Sequence, residues 1–185
     1  MIDVGGTPFN WALPGAALPG VAQIVLVNLA RESAPPGGRC VCVRARAEAL
    51  PFRDGSFDAA FSNSVLEHLP AGTAREGYAS ELRRVAARLF VQTPARSFPL
   101  EPHLLGIGLH YLPRRWQRRL IRWTTLWGWI ARPGARAIER FLAGTQLLGR
   151  RELAALFPGC RLERERFLGL TKAYRIVRGV GPAER

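Results

Sequence analysis

Short apolar runs separated by turn residues dominate the first half of the chain. Residues 24–29, Ile-Val-Leu-Val-Asn-Leu, form a near-continuous apolar run, as expected of a strand buried on both faces of a parallel sheet. Cys40-Val41-Cys42-Val43 predicts a third strand, residues 57–62 a fourth and residues 88–93 a fifth. Residues 1–4 supply the end of a first strand, and Gly5-Gly6-Thr7 turns the chain. Residues 8–13 predict a short helix, with Pro8 tolerated at its start and Pro14-Gly15 ending it. Asp54-Gly55 is a turn pair ahead of the fourth strand. Ser62, Asn63 and Ser64 offer side-chain oxygens to cap a helix beginning near Val65. Residues 72–87 predict a helix with Tyr78, Leu82 and Val85 on one side. Alternating strands and helices argue for a mostly parallel α/β sheet with helices on both faces.

After Pro94 the pattern changes. Residues 95–150 hold no clear strand; they read as an Arg-rich and Trp-rich helical insertion, broken at Arg132-Pro133-Gly134. Within it, Trp116, Leu120, Trp123, Trp127 and Ile130 recur at helical spacing across residues 112–131, and Arg115, Arg118, Arg119 and Arg122 fall on the other side. Three readings stand for this basic amphipathic segment: a substrate lid with its tryptophans inward, a helix at a membrane surface, or a nucleic-acid contact through its arginines. No nucleic-acid-binding signature supports the third. Residues 150–157 predict a short helix, and residues 161–168 and 171–178 two strands joined at Gly169.

With 185 residues the chain suits one domain. Its expected parts are residues 1–94, residues 95–150 as insertion or lid, and residues 151–178 as a closing helix and hairpin. No apolar run approaches the length of a membrane span, and no secretory leader is evident, so the expected location is cytoplasmic, with membrane association left open. Cys40, Cys42 and Cys160 are too few for a disulfide framework, and the Cys40–Cys42 pair too small for a metal site. The net charge of +13 is one-sided. Residues 1–101 hold ten arginines and nine acids; residues 102–185 hold sixteen arginines, Lys172 and five acids. A one-sided basic surface attracts phosphates or anionic lipid.

Residues 49–69, ALPFRDGSFDAAFSNSVLEHL, resemble the fourth-strand region of class I S-adenosylmethionine-dependent methyltransferases, in particular the type 11 group. Residues 1–7, MIDVGGT, resemble that family's first strand and glycine loop, and residues 88–94, RLFVQTP, its fifth strand. The resemblance implies a Rossmann-like sheet, mostly parallel, with a terminal antiparallel hairpin and a helical insertion after the fifth strand. It implies S-adenosylmethionine as cofactor. Asp3, Gly5, Gly6 and Thr7 would hold its methionine end, Asn28 and Leu29 the ribose, Ala47 and Glu48 the adenine, and Ser62, Asn63 and Ser64 the surroundings of the sulfonium.

The chain departs from the family at three places. Asn28 stands where relatives place an acid for the ribose hydroxyls, and it loses charge assistance. Arg46 stands where an aspartate meets the adenine amino group, and it can only donate. The helices that usually precede the first strand are missing from the sequence. Methyl transfer needs a base only if the acceptor atom carries a proton at neutral pH; Glu67, His68, His103 and His110 are the candidates. Glu67 fits a structural place at a helix start. The expected activity is methyl transfer to a small-molecule or lipid-like acceptor. The alternative is a non-catalytic module of the same fold that binds an anionic membrane surface or another partner through residues 113–142.

Overall fold

The structure is a computed structural model and describes residues 1–12, 19–34, 38–101 and 106–179. Seven strands form one sheet: β1 (Ile2–Val4), β2 (Ile24–Asn28), β3 (Cys40–Arg44), β4 (Phe57–Asn63), β5 (Ala86–Pro94), and the last two strands, β8 (Arg161–Phe167) and β9 (Leu170–Arg178). Two further short strands, β6 (Leu100–Glu101) and β7 (Gly106–Ile107), pair with each other outside it. The sheet runs in the order β3-β2-β1-β4-β5-β9-β8. The first five strands are mutually parallel, and β9 enters antiparallel between β5 and β8. The expected class I methyltransferase-like sheet with a closing hairpin is therefore present.

Residues in register across strands share a face. Ile2, Val4, Val27, Ala60, Leu89, Val91 and Ile176 form one face, all buried. Helix α2 (Thr73–Val85) lays Tyr78, Ala79, Leu82 and Val85 on it, and α6 (Arg150–Leu156) adds Leu153, with Phe157 just beyond its end. Each valine, leucine, isoleucine or phenylalanine among them removed from water contributes about 1.5–3 kcal/mol. The opposite face holds Asp3, Leu26, Phe61 and Phe90 in register, with the Phe61 and Phe90 rings stacked at 5.6 Å. Among the described residues its helical cover is α1 (Pro8–Ala12), whose Trp11 meets Phe61 edge-on at 6.2 Å. The two rims of the sheet differ. Outer strand β8 reads RLERERF, with Arg161 paired to Glu163 at 2.7 Å; outer strand β3 reads CVCVR.

The insertion builds a second core. A 3-10 turn over Leu109–Tyr111 leads into α3 (Arg114–Thr124), α4 (Leu126–Ala131) and α5 (Ala135–Gly144). Leu109, Ile121, Ile138 and Leu142 are buried together, with Leu120, Trp127 and Phe141 packed on them. This corrects two expectations. Residues 95–150 do contain strands, the pair β6–β7. The segment 112–131 is not one helix, because the chain breaks at Thr125. There the Thr125 hydroxyl donates to the Ile121 carbonyl at 2.6 Å and accepts from the Gly128 N–H at 2.9 Å. A side chain at Gly128 would strike the backbone of Ile121 and Arg122, so only glycine lets α4 fold back this closely. The break re-sorts the tryptophans. Trp127 turns in against Phe141 at 5.5 Å. Trp123, Trp129 and Ile130 stay 73%, 64% and 75% exposed.

Candidate functional site

In the strand order, the chain builds outward from β1 through β2 to β3, then returns to place β4 and β5 on the other side of β1. The reversal lies between β1 and β4. In an open α/β sheet, ligands bind at the carboxyl ends of the strands flanking such a point. Gly5 and Gly6 follow β1 there, and Ser62, Asn63 and Ser64 close β4 beside them.

The glycine turn is set by its neighbours. Gly5 has φ of +87° and donates its N–H to the Val27 carbonyl at 2.7 Å. A Cβ at Gly5 would collide with the Val65 side chain, and one at Gly6 with the Asp3 carboxylate. Asp3 is buried under the turn and accepts from the Trp11 indole N–H at 2.8 Å. Burial pushes its carboxyl up from 3.8 to about 6, against the smaller opposing effect of the Trp11 hydrogen bond. Thr7, half-buried, leads into α1 and accepts at its carbonyl from the Asn10 N–H at 3.2 Å.

Asn28 ends β2. Its amide donates to the Gly6 carbonyl and accepts from the Ala30 N–H, both at 3.4 Å, long contacts that leave the side chain room to exchange partners. A cleft of about 330 Å³ opens beside it, lined by Leu26, Ala30, Arg31, Glu32, Cys42 and Arg44 among others. Leu29 is exposed next to it. Ala47 and Glu48 lie half-buried after β3. Their loop is pinned from below: Glu81 accepts from the Leu50 N–H at 2.6 Å, and Arg84 donates to the Phe52 and Leu50 carbonyls at 2.7 and 3.1 Å. Arg46 is exposed and paired with the Glu48 carboxylate, so the donor-only group is already engaged.

The three residues that close β4 do different things. The Ser62 hydroxyl is fully buried and donates to the Val4 carbonyl at 2.7 Å, stitching β4 to β1. Asn63 is exposed, and Ser64 takes a left-handed φ of 55° with its hydroxyl on the Asn63 side chain at 3.3 Å. None of the three caps a helix. In place of the expected helix near Val65 stands a single 3-10 turn, Leu66–His68, with Val65 at the cap position, where its side chain cannot accept.

His68 holds the Gly144 carbonyl at 3.1 Å through Nδ1, and the Glu67 carbonyl accepts from the Gln146 N–H at 2.7 Å. Both bonds latch the insertion to the end of β4. His103 lies outside the described residues. His110 donates through Nε2 to the Arg96 carbonyl at 3.1 Å; its buried Nδ1 has no hydrogen-bond partner among the described residues. A carbonyl can only accept, so that bond places a proton on Nε2. His110 borders a cavity of about 290 Å³ between the insertion and the start of α2. Three arginines, Arg75, Arg96 and Arg114, line it together with apolar Leu109, Phe141 and Leu142.

Sequence reasoning weighed Glu67 as a base or a helix-start acid without foreseeing its burial, and did not find Arg75. Glu67 is fully buried, accepts from Thr93 Oγ1 at 2.9 Å, and leaves Oε1 without a partner among the described residues. An unpaired buried carboxylate oxygen is costly and marks a place where a polar ligand group would be welcome. Its signal in the sequence was an acid set between Leu66 and Leu69. Arg75 is buried too, donating to the Leu69 carbonyl at 3.0 Å and to Gln146 at 3.2 Å. Nothing local distinguishes it from the other arginines.

Residues 22–88 match the family model described as a methyltransferase domain. That span runs from just before β2 into β5 and includes the loop after β3 and the turn after β4. Solved structures of similar fold include an S-adenosylmethionine-dependent methyltransferase from Methanosarcina mazei, 15% identical with a TM-score of 0.51 over 95% of this chain and 89% of that one. Another, from Mesorhizobium loti, is 14% identical with a TM-score of 0.59 over 95% and 88%. PigF, solved with SAH, is 15% identical with a TM-score of 0.51 over 96% and 54%. At these identities the likeness carries the fold. No curated protein matches the chain.

Proposed function

We propose that this chain is a class I S-adenosylmethionine-dependent methyltransferase of the type 11 group and transfers a methyl group to a small-molecule or lipid-like acceptor held beside the insertion. The observation that supports it most is the convergence of the Gly5-Gly6 turn, Asn28 and Asn63-Ser64 at the strand-order reversal. The donor set suits the cofactor. Asp3 sits under the glycine turn, where a carboxylate favours a cationic methionine end. Asn28 offers one acceptor oxygen to a ribose, and the backbone at Ala47 and Glu48 serves the adenine edge in place of Arg46. Bound S-adenosylmethionine supplies an electrophilic methyl on a good leaving group.

The remaining work belongs to the chain. The acceptor must be held in line with the methyl at near-attack distance. The cavity carries Arg75, Arg96 and Arg114 with Glu152 beside apolar Leu109, Phe141 and Leu142, a mixed lining with an excess of positive charge that suits an amphiphilic acceptor with an anionic group. His110 borders that cavity with its Nε2–H committed to the Arg96 carbonyl and its Nδ1 buried, so it shapes the acceptor site. His68 acts by holding the insertion in place.

Calorimetric titration with S-adenosylmethionine and its demethylated product tests the reading. Micromolar binding of both is expected; a folded chain that binds neither would sink it. Arg46 favours a second reading, in which the module keeps the fold without catalysis. The same titration decides between them.

A further inference from the structure

The exposed aromatic surface of the insertion is the largest feature the active-site reading leaves unused. Trp116, Trp123, Leu126, Trp129 and Ile130 are all exposed, and all lie on α3 and α4. They are contiguous: Trp116 and Trp123 stand two helical turns apart on α3, and the Trp129 indole N–H donates to the Trp123 carbonyl at 2.6 Å. Soluble surfaces seldom expose large apolar side chains in one patch without a partner for it. Around the patch stand Arg115, Arg119 and Arg122, which make no ion pair among the described residues; Arg119 lies over the Trp116 ring at 5.9 Å. Arg118, by contrast, is taken up by Glu139 of α5.

We propose that this face docks on an anionic lipid bilayer, with the indoles and Ile130 in the headgroup–acyl boundary and the arginines against lipid phosphates. Tryptophans prefer that boundary, where a ring is apolar and an N–H stays wet. Arginine stems lie along apolar surface while their heads reach polar groups. The charge argues against the alternatives. A second copy of the chain would bring two arginine rims together, and residues 102–185 already carry most of the +13. A nucleic acid would satisfy the arginines but leave Leu126 and Ile130 without a use. No helix among the described residues is long and apolar enough to cross a membrane, so the contact is peripheral. It stands independently of methyl transfer. If that reading also holds, α3 serves both: Arg114 and Gln117 line the cavity while Trp116 and Trp123 face outward, so an amphiphilic acceptor would enter from the bilayer.

The test is co-sedimentation of the full chain with sucrose-loaded vesicles of phosphatidylcholine alone and of phosphatidylcholine with phosphatidylglycerol, at low and high salt, with tryptophan emission recorded. Binding to the anionic vesicles is expected, with a blue shift and a loss of at least tenfold in partitioning at high salt, where the charges are screened. The triple variant Trp123→Ser, Trp129→Ser, Ile130→Ser should bind at least tenfold more weakly at unchanged circular dichroism. The pair Arg115→Glu, Arg122→Glu should lose binding to anionic vesicles most. Binding to neither vesicle, equal binding to both, a triple variant that binds like the parent, or a dimer by light scattering that buries these tryptophans would each overturn the proposal.

Discussion

Asp3→Asn should strengthen the fold and weaken the site. The aspartate is buried beneath the glycine turn, and burial raises its carboxyl from 3.8 to about 6. The sign comes from proton binding. Between these two values the folded chain holds a proton that the unfolded chain has released, so stability falls as pH rises through this window. Below pH 3.8 there is no penalty; above about pH 6 it is complete. A shift of this size corresponds to about 3 kcal/mol at neutral pH, as an upper figure. Asparagine removes the titration, and its amide oxygen still accepts from Trp11. The measurement is urea unfolding of parent and variant at several pH values. The variant's advantage should grow by about 2 kcal/mol between pH 4.5 and pH 8. A cationic ligand favours the charged carboxylate, so the parent's affinity for S-adenosylmethionine should rise over the same range while the variant's stays weak and flat. A stability difference independent of pH would refute the burial argument. Equal cofactor affinity in the two proteins would remove Asp3 from the site.

Gly5→Ala should cost about 1–3 kcal/mol by chemical unfolding, from its positive φ and the Val65 collision; adding Val65→Ala should recover part of that loss. Arg75→Met should destabilise by about 2–3 kcal/mol, because it strips charged hydrogen bonds from the Leu69 and Gln146 carbonyls, and hydrogen exchange should then rise at residues 144–147. Thr125→Val removes the hydroxyl that both ends α3 and caps α4, and is expected to cost about 1–2 kcal/mol, read as a lower Tm.

The sheet was legible because its strands carry their burial in their own sequence. Residues 24–29 and 57–62 were read almost to their true ends, and the helix at 72–87 proved to be Thr73–Val85. Glycine loop, Asn28 and the residues that close β4 could be placed because their strands fix them. Their individual tasks could not. Ser62 looked like a site residue, and its hydroxyl serves the Val4 carbonyl. The insertion was misread where a single residue competes with the helix: periodicity ran straight through Thr125, while its side chain took the hydrogen bonds that end one helix and begin the next. Glu67 and Arg75 gain their character from burial by distant elements, which no local pattern records.

The unequal rims of the sheet bear on how the protein keeps in solution. Strand β8 alternates charges of both signs along a free edge, which discourages another chain from adding to it. Strand β3 offers CVCVR at the other edge, with Val41 exposed and only Arg44 to interrupt it. Burial pushes the Cys40 and Cys42 thiols up, so they hold little thiolate and cross-linking is slow. Backbone addition at β3 is therefore a route by which concentrated samples would age, and Val41→Lys would set a charge against it.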